Sequence, residues 1–342
     1  MKTVGEDSAV LTAVRSGDES AFGAIAEQYR RQLHVHCYRM TGSVDDAEDL
    51  VQETMLRAWR SRASFEGRSS FRNWLYRIAT NACLNSLERS PRRVTSPDVT
   101  PATTDPRSTP KWAPELPWLQ PYPDEMLEPA APRDAEPEAV VTARETLQLV
   151  YLAAIQHLPP RQRAVLVLRD ALDWSAKETV GLLDMTLPAV NSALQRARTT
   201  MRDAIPRDAV TDAAVTQPTD EEQALLQKFM DAFERADAAA LTSLLREDAR
   251  LTMPPALMWF DGRDSVMGLY RQLLGPDSFG DFKLVATAAN RQPAAVAYLR
   301  ARGKSEYRLT GLNVLRIVDG VIAEVTAFRP DLCKAFHLPS SL

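Results

Sequence analysis

Residues 175–205 read SAKETVGLLDMTLPAVNSALQRARTTMRDAI, and this stretch decides what kind of fold the chain carries. Ser175 followed three residues later by Glu178 is a capping box, in which each side chain satisfies a backbone N–H that the first turn leaves unpaired. It opens a short helix. Asp184 and Met185 make a tight break. Thr186 then caps a second helix, whose first turn tolerates Pro188 because the leading N–H groups have no intrahelical partner to lose. On that helix Val190, Leu194, Ala197 and Met201 recur at helical spacing and point inward, leaving Asn191, Ser192, Gln195, Arg196 and Thr199 outside. Two helices across a tight turn, the second with a polar outer face, form a helix-turn-helix. Such a unit lays its second helix in the DNA major groove, with amide side chains at base edges and arginines such as Arg198 steering onto phosphate. A plain helical hairpin with solvated arginines shares the same spacing.

Upstream, residues 18–90 are helical in pattern. Phe22, Ile25, Ala26, Tyr29 and Leu33 keep helical spacing, and Ser43 with Asp46 marks the start of a further helix. On it Ala47, Leu50, Val51, Thr54 and Ala58 form a buried stripe, so Asp45, Asp49, Gln52 and Glu53 fall on another face. The stretch Asp45 to Glu53 holds five acids and no base, which suits a basic protein partner. A third helix mixes aromatics and bases: Phe65, Arg68, Phe71, Arg72, Trp74, Tyr76, Arg77 and Asn81. Aromatics offer stacking and arginines offer phosphate pairing, the two needs of unstacked single-stranded DNA. Trp74 and Leu75 read as core, Arg72, Arg77 and Asn81 as DNA-facing. His34, His36 and Cys37 do not share one helix face, and nothing completes a tetrahedron around them, so no metal is expected.

The run from about Pro91 to Pro137 holds about a dozen of the chain's 23 prolines, and its TSPDVTPATTDPRSTP portion, residues 95–110, excludes a helix or a central strand. It reads as a partly extended acidic tether over 91–139, although Trp118 and Tyr122 in WLQPYPD are aromatics of the kind that dock. A softer boundary at 206–219 separates the helix-turn-helix unit, 140–204, from a last unit, 220–338. There, helices near 220–235 and 237–246 precede a strand near 249–254, a helix near 264–274 and three alternating segments. Asp319-Gly320 signals a hairpin, and the whole spells α+β. Trp259, Phe260, Tyr298 and Asn313 are candidates to line a pocket, with Asp261 and Asp264 nearby.

The 342 residues carry a net charge of −4, an average that conceals alternating acidic and basic blocks. Three cysteines, far apart and odd in number, imply no disulfide framework and a reducing compartment. The start has no basic-then-apolar run and no stretch reaches the length of a membrane span, so a cytoplasmic protein without membrane contact is expected. No Gly-rich phosphate loop, Ser-His-Asp set or zinc motif is present. Neither a cofactor nor catalysis is expected.

DDAEDLVQETMLRAW followed by FRNWLYRIATNACLN resembles region 2 of the extracytoplasmic-function sigma factors of the sigma-70 family, and LPPRQRAVLVLRDALDWSAKETVGLL with the second helix resembles region 4. The unit at 220–338, ending FRPDLCKAFHLP, resembles SnoaL-like domains of the nuclear-transport-factor-2-like fold, an α+β cone around a pocket. The resemblance therefore implies two all-α sigma domains, a region 2 bundle and a region 4 helix-turn-helix, followed by a cone. It implies core RNA polymerase as partner, through the clamp helices of the largest subunit and the flap of the second-largest, with promoter DNA. Asp45, Asp49, Gln52 and Glu53 would dock on the clamp helices. The loop at 61–70 and the helix from Phe71 would hold the melted −10 element through Phe65, Arg68, Phe71, Arg72, Arg77 and Asn81. Leu187, Pro188, Asn191, Ser192, Gln195 and Arg196 would read the −35 element, and the linker would run through the polymerase channel. Many relatives have an acid where this chain has Asn85. The last domain would bind a small ligand and regulate the sigma activity. The competing readings are a ligand-responsive repressor, which needs neither the acidic nor the aromatic-basic helix, and a fusion whose last domain is a cyclase- or isomerase-type enzyme.

Overall fold

The computed structural model describes residue 12 and residues 17–67, 69–127, 147–205, 218–276 and 278–342. They fall into two compact units. One holds residues up to 92, with 126–127 and 154–205; the other holds 93–125, 147–153 and everything from 218 onward.

The first unit begins with α1 (Glu19–Glu27), α2 (Arg30–Thr41), α3 (Val44–Arg60) and α4 (Phe71–Leu87). Gly42 takes a left-handed conformation at φ 70° and ends α2. Ser43 Oγ then accepts the Asp46 N–H at 3.1 Å, so α3 starts two residues later. Leu33, Tyr38, Met40, Val51, Leu75 and Tyr76 meet in a core that excludes water. The unit continues with α5 (Pro160–Leu166), a π turn at Val167–Ala171, α6 (Ala176–Leu183) and α7 (Leu187–Ala204). Both halves of the expected capping box form at Ser175 and Glu178, and Thr186 accepts the Ala189 N–H. Asp184, at φ 50°, turns α6 into α7.

A buried cation joins the two halves of this unit. Arg163 on α5 is 2 % exposed, and its Nη1 donates to the Met40 carbonyl at 2.6 Å and to Gln156 Oε1 at 2.9 Å. Its Nη2 donates to the carbonyls of Gln156 and Leu158. Burial pushes its pKa down to about 10, and four oxygen acceptors hold the charge in place without a carboxylate among them.

The second unit is built on one six-stranded sheet in the order β2-β1-β6-β5-β4-β3. The strands are β1 (Leu245–Thr252), β2 (Trp259–Asp261), β3 (Gly280–Ala289), β4 (Gln292–Ala301), β5 (Arg308–Val318) and β6 (Val321–Phe328). β1 runs parallel to β6 and every other pairing is antiparallel. Asp319 and Gly320 have positive φ, as the expected β5–β6 hairpin demands; Asn290 and Arg291 make a second such turn between β3 and β4. Helices α8 (Asp220–Glu234), α9 (Ala238–Leu244) and α10 (Arg263–Leu274) cover one face. There Phe229, Phe233, Met267 and Tyr270 pack on Leu251, Phe260, Leu284, Ala295, Leu315 and Val325.

The opposite face is equally apolar. Ala294, Val296, Leu312 and Val314 are at most 2 % exposed, although none belongs to the helix-covered cluster. Their cover is the proline-rich segment. At one corner of the sheet Ala113 N–H donates to the Pro255 carbonyl at 3.0 Å and Leu257 N–H to the Lys111 carbonyl at 2.8 Å. At the opposite end, Asn290 N–H donates to the Tyr122 carbonyl at 2.9 Å and Tyr122 N–H to Asn290 Oδ1 at 2.8 Å. The first anchor lies between β1 and β2, the second between β3 and β4. Residues 113–122 therefore cross the sheet diagonally, over the face that the helices leave open, with Trp118, Leu119 and Tyr122 buried. Residues 113–122 are extended, but they form a strap on the sheet and not a free tether, and upstream Ser96–Val99 make one helical turn where none was expected: the Thr95–Asp98 capping box starts it and Pro97 sits in its first turn, where no N–H is needed. Helices cannot compete for this path, because its prolines lack the N–H and fix φ.

His36 yields a pH prediction. It is fully buried, its Nε2 lies 2.9 Å from Thr80 Oγ1, and burial pushes its pKa down to about 3. An unfolded His36 takes up a proton near pH 6.5, whereas the folded one refuses it until about pH 3. Its contribution is therefore complete above pH 6.5 and is lost as pH falls from there, at about 1.4 kcal/mol per unit. Between pH 6.5 and 5, urea unfolding of the wild type should lose about 2 kcal/mol more than that of His36→Gln. Parallel pH dependence in the two proteins would contradict this.

Candidate nucleic-acid and protein-binding surfaces

The α3 stripe Ala47, Leu50, Val51, Thr54 and Ala58 is buried, which turns Asp45, Asp49 and Gln52 to solvent. Glu53 is half-buried and held by Arg57 Nη2 at 2.5 Å. Leu56, 56 % exposed, shares this face. The sequence reading passed over it because it looked for charge. Beside the face lies a groove of about 320 Å³, lined by Asp46, Asp49, Glu53 and the Glu53-paired Arg57 from α3, by Asn85 and Ser86 from α4, and by Arg89 just past its end. Acids on one wall and a base on the other suit a partner that brings a cation and an accompanying acceptor.

The DNA-facing expectation for α4 divides. Arg77 and Asn81 are exposed and four residues apart, hence on one face. Arg72 is half-buried, its guanidinium 4.8 Å from the Tyr76 ring. Phe65 and Phe71 do not face solvent. They are 5 % and 1 % exposed, in an aromatic cluster with Phe22, Tyr29 and Trp74 whose centroids lie 5.3–5.8 Å apart. The turn at Arg62–Ser64 folds Phe65 back onto α4, so two residues assigned to DNA are core, while Trp74, assigned to the core, stays half-exposed. Arg68 lies outside the described residues.

On α7 the expected reading face is continuous: Leu187, Pro188, Asn191, Ser192, Gln195 and Arg196 are all exposed. Val190, Ala193, Leu194, Ala197 and Met201 are buried beneath them. Arg198 differs from its expected role. Its Nε and Nη2 donate to the two Asp170 oxygens at 2.9 and 2.7 Å, so its charge is committed to the turn after α5.

The four candidate pocket residues do not converge. Trp259 pairs with Thr252 and Phe260 with Leu251, and adjacent residues of a strand point to opposite faces. Phe260 and Asn313, the latter opposite Ala295, lie on the helix-covered face. Trp259 and Tyr298 lie on the strapped face, where Trp259 Nε1 donates to the Thr100 carbonyl at 2.8 Å. Asp261 is paired with Arg250 at 2.9 Å. The residue that the sequence reading missed here is Asn290, fully buried, whose amide engages Tyr122 on one side and the Leu147 carbonyl on the other. A short polar residue at a tight turn is an ordinary turn signal, and nothing local in the sequence marks it as an anchor. Among the described residues no helix is long and apolar enough to cross a membrane.

Comparison with known proteins matches residues 25–93 to the Sigma-70 region 2 model, 148–201 to Sigma-70, region 4, and 226–325 to the SnoaL-like domain. The chain is 42 % identical over 330 residues to the ECF RNA polymerase sigma factor SigG of Mycobacterium tuberculosis, covering 96 % of this chain and 86 % of that one. It is 30 % identical over 193 residues to the ECF RNA polymerase sigma factor SigW of Bacillus subtilis, covering 56 % of this chain and 92 % of that one. The crystal structure of the Mycobacterium tuberculosis extracytoplasmic function sigma factor SigJ superposes with a TM-score of 0.54 at 22 % identity, over 90 % of this chain and 96 % of that one. This last likeness is one of fold.

The α7 face yields a direct test. Asn191→Ala and Gln195→Ala should each change preference at individual base pairs of a duplex site, by about 1–3 kcal/mol for a lost bidentate contact. Arg196→Ala, at the far end of the same face, should likewise change preference at its own base pair, whereas Arg202→Ala, outside that face, should leave the preferences unchanged. Identical behaviour of all four variants in salt-resolved binding would remove base reading from this helix.

Proposed function

The chain belongs to the extracytoplasmic-function RNA polymerase sigma factors, and from that premise we propose which surfaces serve that activity and how the last domain governs it. The protein binds core RNA polymerase and directs promoter-specific initiation. In the proposed assignment, Asp45, Asp49, Gln52 and Glu53, with Leu56 among them, dock on the clamp helices. Arg72, Arg77 and Asn81, together with the half-exposed Trp74, take the melted −10 strand. Leu187, Pro188, Asn191, Ser192, Gln195 and Arg196 read the −35 element. These events belong to the cytoplasm. Asp49→Arg should oppose a basic partner and cut core-polymerase binding at least tenfold with the helical circular dichroism intact; unchanged binding would remove docking from α3.

The last domain acts as a regulator and not as an enzyme. One observation carries this reading: the linker that joins regions 2 and 4 is the cover of that domain's own sheet. A linker strapped across the sheet and a linker threaded through the polymerase channel are exclusive states of the same residues. A ligand or partner that favours one state over the other then sets the sigma activity. The split of Trp259 and Tyr298 from Phe260 and Asn313 fits this role better than it fits a catalytic cavity.

Asn290→Ala removes both amide anchors of Tyr122 and Leu147 while leaving the region 2 and region 4 surfaces untouched. Multi-round transcription from a cognate promoter, at matched polymerase occupancy, should rise several-fold with this variant. Unchanged output, together with turnover of a small molecule by the full-length protein, would favour the enzyme reading instead.

A further inference from the structure

We propose that Asp170 is a positioning residue for promoter binding: it holds the Arg198 guanidinium back from the DNA backbone, so that α7 binds through its base-reading side chains and gains little sequence-independent affinity. The inference rests on the assignment of α7 to the −35 element. Arg198 follows Asn191 by seven residues, almost two full turns, so it stands on the same side of α7 and about 10 Å further along the helix. The first turns of a recognition helix enter the major groove, and the turns behind them pass the phosphates that line it. Arg198 stands at that height, with 55 % of its side chain exposed.

The turn that ends α5 withdraws it. The π turn at Val167–Ala171 closes with the Leu172 N–H donating to the Val167 carbonyl at 3.1 Å, and the buried Val167 and Leu168 fix it in the core. Asp170 leaves this turn toward α7, and Arg198 takes both of its oxygens: Oδ2 accepts from Nε at 2.9 Å and Oδ1 from Nη2 at 2.7 Å. The planar guanidinium fork matches the carboxylate, so the pair fixes orientation as well as charge. These hydrogen bonds also raise the Arg198 pKa. Nη1 makes no bond to any described residue, yet a phosphate approaching it would face the Asp170 carboxylate across a single guanidinium. Such a like-charge approach is unfavourable.

The consequence is a matter of charge. Each phosphate that a protein cation neutralises releases counterions, which steepens the fall of log K with log salt by about 0.9. With Asp170 in place the pair carries no net charge, and Arg198 adds little to that slope. Without the carboxylate it adds one contact, on every sequence alike. An exposed ion pair stabilises a fold only slightly, so losing this one leaves α7 seated on Val190, Leu194, Ala197 and Met201.

The test uses holoenzyme assembled from the full-length protein and core polymerase. It is titrated over a range of salt with two duplexes, one carrying the cognate −35 element and one with that element scrambled. Asp170→Asn should raise affinity for both by about five- to tenfold at about 0.1 M salt, and steepen the salt dependence by about 0.9. Asp170→Glu, which keeps the carboxylate, should restore the wild-type slope. In an Arg198→Gln background Asp170→Asn should gain nothing, whereas a carboxylate that acted only by repelling DNA would give the same gain with either residue at 198. An unchanged slope in Asp170→Asn, or a gain that survives Arg198→Gln, would overturn the proposal. Failure of the underlying assignment has a different signature: if Gln195→Ala keeps full discrimination between the two duplexes, α7 does not read the −35 element, whatever the slopes show.

Discussion

A strand turns alternate side chains to opposite faces, and β4 is apolar on both: Ala295 and Ala297 on one, Ala294, Val296 and Tyr298 on the other. A sheet of that composition needs two covers, and a parallel or mixed sheet with both faces apolar is stable only when it has them. The helices α8, α9 and α10 supply the first. The second includes residues between the two sigma regions, anchored at both ends of the sheet. The organisation of the chain follows from this requirement. The last domain extends into the linker, and the linker's freedom depends on the sheet. Prolines make the arrangement feasible: they prevent a long helix and also reduce the entropy an unfolded segment loses on docking.

Much of this was legible in the sequence, and the limits fall along a physical line. Periodicity and caps report neighbours within a few residues. Ser175 with Glu178, Thr186, Asp184 and the Asp319-Gly320 turn were therefore placed where they occur. The outer face of α7 followed from the inner one. What sequence spacing does not report is which face a third element covers. Phe65 and Phe71 look like stacking aromatics until the turn at Arg62–Ser64 folds them together with Phe22 and Tyr29. Arg198 looks like a phosphate contact until Asp170, 28 residues away, is brought beside it. Trp259 and Phe260 were grouped by proximity in sequence, although a strand must separate them. Trp118 and Tyr122 did carry a hint of docking; the partner, Asn290, lies too far along the chain to be inferred.

In the first unit the same logic operates with charge. Arg163 is taken out of water to bind the Met40 carbonyl at the end of α2, and its desolvation is offset by the four oxygens that receive it. Removing one partner of such a buried charged group costs far more than the contact contributes. Region 2 and region 4 therefore share a polar pin in the core. The exposed polar face of α7 and the acidic face of α3 lie on helices whose buried stripes that core fixes, which is why both survive as continuous surfaces.

The account stands or falls on the strap. Amide hydrogen exchange of the full-length protein, read at residues 118–122, tests it most directly, because a free proline-rich tether and a segment buried on a sheet differ by orders of magnitude in protection. The prediction is that the Trp118, Leu119 and Tyr122 amides exchange as slowly as those of β4 and β5, and that Asn290→Ala accelerates Tyr122 first. Exchange of all three within seconds, while β4 and β5 stay protected, would contradict a linker that belongs to the last domain.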